Sequence, residues 1–238
     1  MASRADAVEA RATAPAPRIG RVVRVAVSDF YFNSGRLVVA NVVWGAAVIG
    51  LWLVWLVWPL VALILTPLLA FPTVGIFRIA ARIVRAERHP SLRDGFTAWR
   101  DYAGPAILLG LAFVAAGVIL GTNAVVGLTQ SEPVGWVIGT FAAWGLVVLW
   151  CGAVVAWPLV VDPERADYSL RRRLRLVGLL LLAFPGRFAL LGAVIAVVAA
   201  VSTILLAALL TISVSFIALI ACRYVYPAAD RLEARGIH

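Results

Sequence analysis

From Leu37 to Phe77 the chain carries no charged residue, a run of roughly forty positions and about twice what one membrane-crossing helix needs. Comparable charge-free stretches lie at 102–131, 133–161 and 188–222. A water-soluble core cannot hide several such runs in 238 residues of which 63% are apolar and only 14% charged. In a bilayer the backbone N–H and C=O groups have no water to bond, so spanning segments of this kind close their hydrogen bonds within helices. The expected fold is all-α, a polytopic transmembrane helix bundle.

Punctuation divides the runs. Pro59 after Trp58 splits the first into spans at about 37–57 and 60–80, with Trp52, Trp55 and Trp58 clustering at the far interface. Pro72 is expected to kink the second span. A third span is expected at about 104–122, then the nearly uncharged loop "TNAVVGLTQSEPVG", then a fourth at about 135–158. Phe188 to Cys222 would be roughly 52 Å long as one helix, so either a single overlong span or a tight hairpin near Ser202 and Thr203 is possible, giving five or six spans in all. Residues 1–20 read as a disordered basic tail, 21–226 as the integral membrane domain and 227–238 as a short cytoplasmic tail. No cleaved signal peptide is expected.

Arginine distribution arbitrates. All 21 basic residues are Arg. With six spans and an inner N-terminus they fall in the tail, around 78–100, around 165–187 and after the last span, and none is left outside. Basic residues mark the cytoplasmic side, so six spans with both termini cytoplasmic, in a bacterial cell (inner) membrane, is the preferred reading. A net charge of +9 placed beside spans points to anionic lipid headgroups, not nucleic acid.

Catalytic chemistry finds little material here. The twelve acidic residues all lie in tails, loops or span ends, whereas proton-coupled transport places a carboxylate within the bilayer. His89 and His238 are the only histidines, Cys151 and Cys222 sit inside apolar runs, and there is no P-loop or nucleophile elbow. No metal, cofactor or catalytic residue is expected. The Gly117/Gly121 and Gly135/Gly139 pairs have the spacing of close helix packing.

Two basic segments remain. "RVVRVAVSDFYFNSGR" reads as a short interfacial helix with "NSG" as a turn. "AERHPSLRDGFTAWRDYAGP" holds a capping box, Ser91 with Asp94, and an apolar stripe through Leu92, Phe96, Trp99 and Ala103. This second helix reads either as a collar at the lipid headgroups or as a dock for a cytoplasmic partner, in the manner of an ABC importer's coupling helix. "RLVGLLLLAFPGRFALLG" weakly echoes "FTAWRDYAGPAILLG", by internal repetition or by chance. Candidate partner- or lipid-contact residues are Arg93, Phe96, Trp99 and Arg100, with Arg171, Arg172 and Arg173 in the later basic run.

"NVVW" at 41–44, "FPTVGIFRIAARIVRAE" at 71–87, "GFTAWRDYAGPAILLG" at 95–110 and "RLVGLLLLAFPGRFALL" resemble the YesL-like family of bacterial integral membrane proteins. The resemblance spans about 21–225, although this chain carries extra apolar residues between "NVVW" and "FPTVG". It implies no established activity and no catalytic residues, but a neighbourhood of carbohydrate ABC-importer components. The expected function is a non-enzymatic accessory or scaffold associated with a carbohydrate transport system. The alternative is a transporter or ABC-type permease subunit, its path lined by the Ser and Thr residues of the last hairpin.

Overall fold

The computed structural model describes residues 17–85 and 90–235. Most of the tail, the segment 86–89 with His89, and His238 lie outside the described residues.

The elements repeat one plan three times. A short amphipathic helix leads through a single joint residue into an outward span, and a second span returns. The first unit is α1 (Ile19–Phe32), joint Asn33 and α2 (Ser34–Val57), returning as α3 (Pro59–Leu65), a 3-10 turn (Thr66–Leu69) and α4 (Ala70–Val84). The second is α5 (Leu92–Asp101), joint Tyr102, α6 (Ala103–Thr129) and the return helix α7 (Pro133–Val161). After a 3-10 turn (Pro163–Arg165) comes α8 (Leu170–Ala183), joint Phe184 and α9 (Pro185–Ile204). The last return is broken into α10 (Leu206–Ala208), a π turn (Leu209–Ser213) and α11 (Val214–Ala234).

Among the described residues, six helical segments are long and apolar enough to cross a membrane: Ser34–Val57, Pro59–Val84, Ala103–Thr129, Pro133–Val161, Pro185–Ile204 and Leu210–Ala234. The hairpin break falls at Leu205, two residues beyond the expected site. The return spans form the interior, with 44%, 44% and 67% of their most apolar window buried against 17%, 17% and 28% for the outward spans. Ile76 and Ile79 from α4, Val155 and Leu159 from α7, and Leu219 and Val225 from α11 are among the buried centre. The outward spans present Leu53, Ile119 and Val197 at their surfaces, which suits lipid contact.

Several boundaries move from their expected places. The expected "NSG" turn contracts to Asn33, whose side-chain amide donates to the Asp29 carbonyl at 3.0 Å and holds the joint. The second span is irregular at Thr66–Leu69, around Pro67, while Pro72 sits in the first turn of α4. Pro72 cannot donate to the carbonyl of Leu68, so its effect lies one turn upstream, within the 3-10 segment. "TNAVVGLT" is not loop but the last turns of α6, and only residues 130–132 connect α6 to α7. Two of its polar side chains bond within the helix: Asn123 donates to the Ile119 carbonyl at 2.8 Å and Thr129 to that of Val125 at 2.8 Å.

Glycine explains how tightly that hairpin closes. A Cβ on Gly127 would stand 2.6 Å from the Gly135 carbonyl oxygen and 2.6 Å from the Gly139 nitrogen. The second expected glycine pair therefore does pack helices, but against Gly127; Gly121 has nothing within 4 Å. Residues 227–234 continue α11 through Pro227.

Candidate functional site

The ends of the three return spans meet in a knot of charges. Arg85, the residue after α4, bonds Asp162 at 2.8 Å, Asp230 at 2.9 Å and Glu164 at 3.1 Å. Arg165 reaches Asp162, and Asp230 and Glu233 each at 2.6 Å. Asp162 follows α7 and is fully buried between the two guanidinium groups, while its second role is to accept the Glu164 N–H at the start of the 3-10 turn. Asp230 and Glu233 sit in the last turns of α11, one helical turn apart.

Burial disfavours the charge on Arg85, yet the bonds and fields of Asp230 and Asp162 more than offset it and hold its pKa above the ordinary arginine value. Arg165 behaves the same way, burial being outweighed by Asp162, Asp230 and Glu233. Both guanidinium groups remain charged at any working pH. The Arg85 guanidinium also stacks 4.5 Å from the Tyr226 ring, whose hydroxyl donates to the Pro158 carbonyl at 3.1 Å.

Beside the knot, two further arginines close the end of α7, whose last carbonyls have no partner within the helix. Arg78 donates to the Val161 carbonyl at 2.9 Å. Arg173 donates to Val160, and to the carbonyls of Arg165 at 2.9 Å and Ala166 at 2.8 Å. Burial pushes the Arg173 pKa down, with Tyr102 and Asp162 opposing. Arg173 is 4% exposed. It cannot be the lipid or partner contact expected of it, because it is spent as an internal cap. The signal was in the sequence: Arg173 shares the apolar stripe of α8 with Leu176, Val177 and Leu180, which Arg171 and Arg172 do not.

Those two neighbours are exposed, Arg172 lying 3.8 Å over the Tyr168 ring. Arg175 is exposed beside them.

The helix 92–101 forms with the expected capping box. The Asp94 carboxylate accepts the Ser91 N–H at 2.7 Å, and Ser91 Oγ accepts the Arg93 N–H at 3.2 Å. Arg82 anchors Asp94 from α4 at 2.8 Å. Its packing face is rotated from the expected stripe. Gly95 and Ala98 are buried against α4, and Leu92 and Trp99 flank them half-buried. A Cβ on Gly75 would lie 2.7 Å from Trp99 Nε1 and 3.0 Å from the Gly95 carbonyl oxygen, so backbone approaches backbone. Phe96 is left 50% exposed, with Arg93 and Arg100 exposed one turn to either side. Trp99 therefore holds the helix on the bundle, and the outward surface is Arg93, Phe96 and Arg100.

Three hydroxyls of the last hairpin bond backbone carbonyls, two on their own limb of the hairpin and one on the first span. Ser213 donates to the Ala208 carbonyl at 2.9 Å, Thr203 to that of Ala199 at 2.8 Å, and Ser215 to that of Leu37 at 2.8 Å. Asn41, fully buried, accepts the Ser215 N–H at 2.9 Å and ties the first span to the sixth.

These features define the class: a multi-pass, all-α membrane protein whose three return helices are fastened at one end by arginines and carboxylates. Beyond that class, comparison with protein-family models, curated proteins and solved structures gave no match.

Proposed function

We propose that this protein is a non-enzymatic accessory or scaffold component of a transport system, seated in a bacterial cell (inner) membrane with both termini cytoplasmic. The observation that carries the reading is the contrast between a fastened interior and a bare basic surface. The knot and the carbonyl caps consume Arg78, Arg85, Arg165 and Arg173, while Arg93 and Arg100 flank an exposed Phe96 on a helix stiffened by its capping box and its glycine contact. An aromatic anchor between two arginines is the composition that protein interfaces favour. The partner proposed is an ABC transporter subunit, of the carbohydrate type that the YesL-like resemblance implies, and anionic headgroups meet Arg171, Arg172 and Arg175.

Affinity capture in mild detergent tests this. The full chain should recover an ATPase and a permease, and Phe96→Ala with Arg100→Gln should lose them while Trp99→Phe retains them. Unchanged recovery by the double variant would remove the dock. Orientation has its own test: a cysteine at Gln130, exposed in the α6–α7 connection, should label from the outer side only, against a low background because Cys151 and Cys222 are buried.

The permease alternative keeps one supporting observation, the interrupted last span at 205–213, since broken and π-helical segments accompany substrate sites in membrane transporters. It predicts solute flux in proteoliposomes that hold the chain with an ATPase. The hydrogen bonds of Thr203, Ser213 and Ser215 to backbone carbonyls weigh against it.

A further inference from the structure

Where α9 begins and α11 ends, three arginines converge away from the knot. Arg187, Arg231 and Arg235 line a cavity of about 40 Å³ with Phe184, Phe188 and Tyr224. Among the described residues its lining includes no carboxylate. The acidic residues nearest in sequence, Asp230 and Glu233, are engaged with Arg85 and Arg165. Arg231 stands in the positive fields of both Arg187 and Arg235, with Asp230 opposing them, and its Nε donates to the Pro227 carbonyl at 3.0 Å, which fixes the side chain in place.

Like charges gathered around a cavity with no carboxylate among its described lining residues repel one another, and an anion placed among them reverses the sign of the interaction. Guanidinium forks match the paired oxygens of phosphate. A cavity of about 40 Å³ has room for roughly three waters at 10–15 Å³ each, enough for a phosphate group and too little for a nucleotide. Its location supplies the rest of the ligand. Pro185 opens the fifth span and Ala234 closes the sixth, so the arginines stand at a membrane boundary. Phe184 and Phe188 line the apolar side, and Leu182 and Leu190 are exposed nearby in the chain.

We propose that Arg187, Arg231 and Arg235 form a binding site for the phosphate of an anionic phospholipid. The site rests on the reading that the basic end faces an anionic leaflet, but it uses none of the residues assigned above to partner or headgroup contact.

The test is lipid retention by the full-length protein in mild detergent, counted by native mass spectrometry after exposure to phosphatidylglycerol or phosphatidylcholine. The wild type should hold phosphatidylglycerol in preference. Arg187→Gln with Arg231→Gln should weaken that binding about tenfold or more, Arg187→Lys with Arg231→Lys should fall between, and Arg171→Gln with Arg172→Gln should leave it intact. The lysine pair preserves charge and serves if the glutamine pair fails to fold: binding equal to wild type in every variant overturns the site. Equal losses from the 187/231 and 171/172 pairs would also overturn it, reducing it to general attraction by the basic end and leaving the leaflet-facing reading in place. Displacement by millimolar inorganic phosphate, with no preference between the two lipids, would make this a free-anion site and sink the lipid assignment.

Discussion

Arg171, Arg172 and Arg173 show how little residue type alone decides. Three identical side chains in a row differ by 100° steps around α8, and only the third turns into the bundle, where it meets three backbone carbonyls. Arg173→Gln would leave buried acceptors of α7 and the following turn unsatisfied, at a cost of about 3 kcal/mol. Arg171→Gln, on the exposed side, should leave the unfolding midpoint unchanged. Thermal unfolding of the two variants in detergent checks the contrast, and equal midpoints would mean that the Arg173 bonds are replaced by water. The capping box at Ser91 and Asp94 was legible because it is written within four consecutive residues. The inward turn of Arg173 depends on the phase of α8 against α7. The stripe through Leu176, Val177 and Leu180 carries that phase, but a basic run beside a span reads first as a headgroup contact.

At the scale of elements, charge-free runs are legible and their edges are not. The turns of α6 beyond Gly121 look like loop because "TNAVVGLT" is rich in residues with weak helix propensity. Helix persists there because Gly127 lets α6 and α7 touch and because Asn123 and Thr129 bond the preceding turn. Helix α5 had its span and cap written in the sequence, whereas its packing face was set by a glycine contact with α4 that no periodicity announces. Its cap can be tested in isolation. Ser91→Ala removes the acceptor for the Arg93 N–H and should cost about 1 kcal/mol, felt locally because α5 is short and is held by Arg82 at one side chain and by Gly95 along its face. Hydrogen exchange should show the Arg93 and Asp94 amides opening several-fold more often while α7 amides are unaffected. Protection unchanged at 93–94 would show that packing on α4, not the cap, fixes this end.

At the scale of the molecule, the described residues form three helix–span–span units whose return spans converge, and the charges at that end are arranged by the convergence. Arg85 follows the first return, Asp162 and Arg165 follow the second, and Asp230 and Glu233 lie in the last turns of the third. One knot therefore fastens all three units at the same end, where apolar packing against lipid-like interiors gives helices little reason to choose one neighbour over another. Sequence alone grouped the arginines in the tail, in two inner loops and after the last span but could not pair Arg85 with Asp230, 145 positions away, because that contact exists only once the units close. If the knot holds the units together, its members must be coupled in stability. Arg85→Gln leaves Asp162 and Asp230 facing one guanidinium, and Asp230→Asn leaves two guanidinium groups short of a carboxylate; each should cost about 3 kcal/mol as a broken, largely buried pair. The double variant removes one charge of each sign and should cost at least about 1 kcal/mol less than the sum of the two. Unfolding free energies in bicelles, read for the four members of the cycle, measure that difference. Strict additivity would mean that the units are held by their apolar interiors alone and that the charges merely decorate an end already fixed by packing.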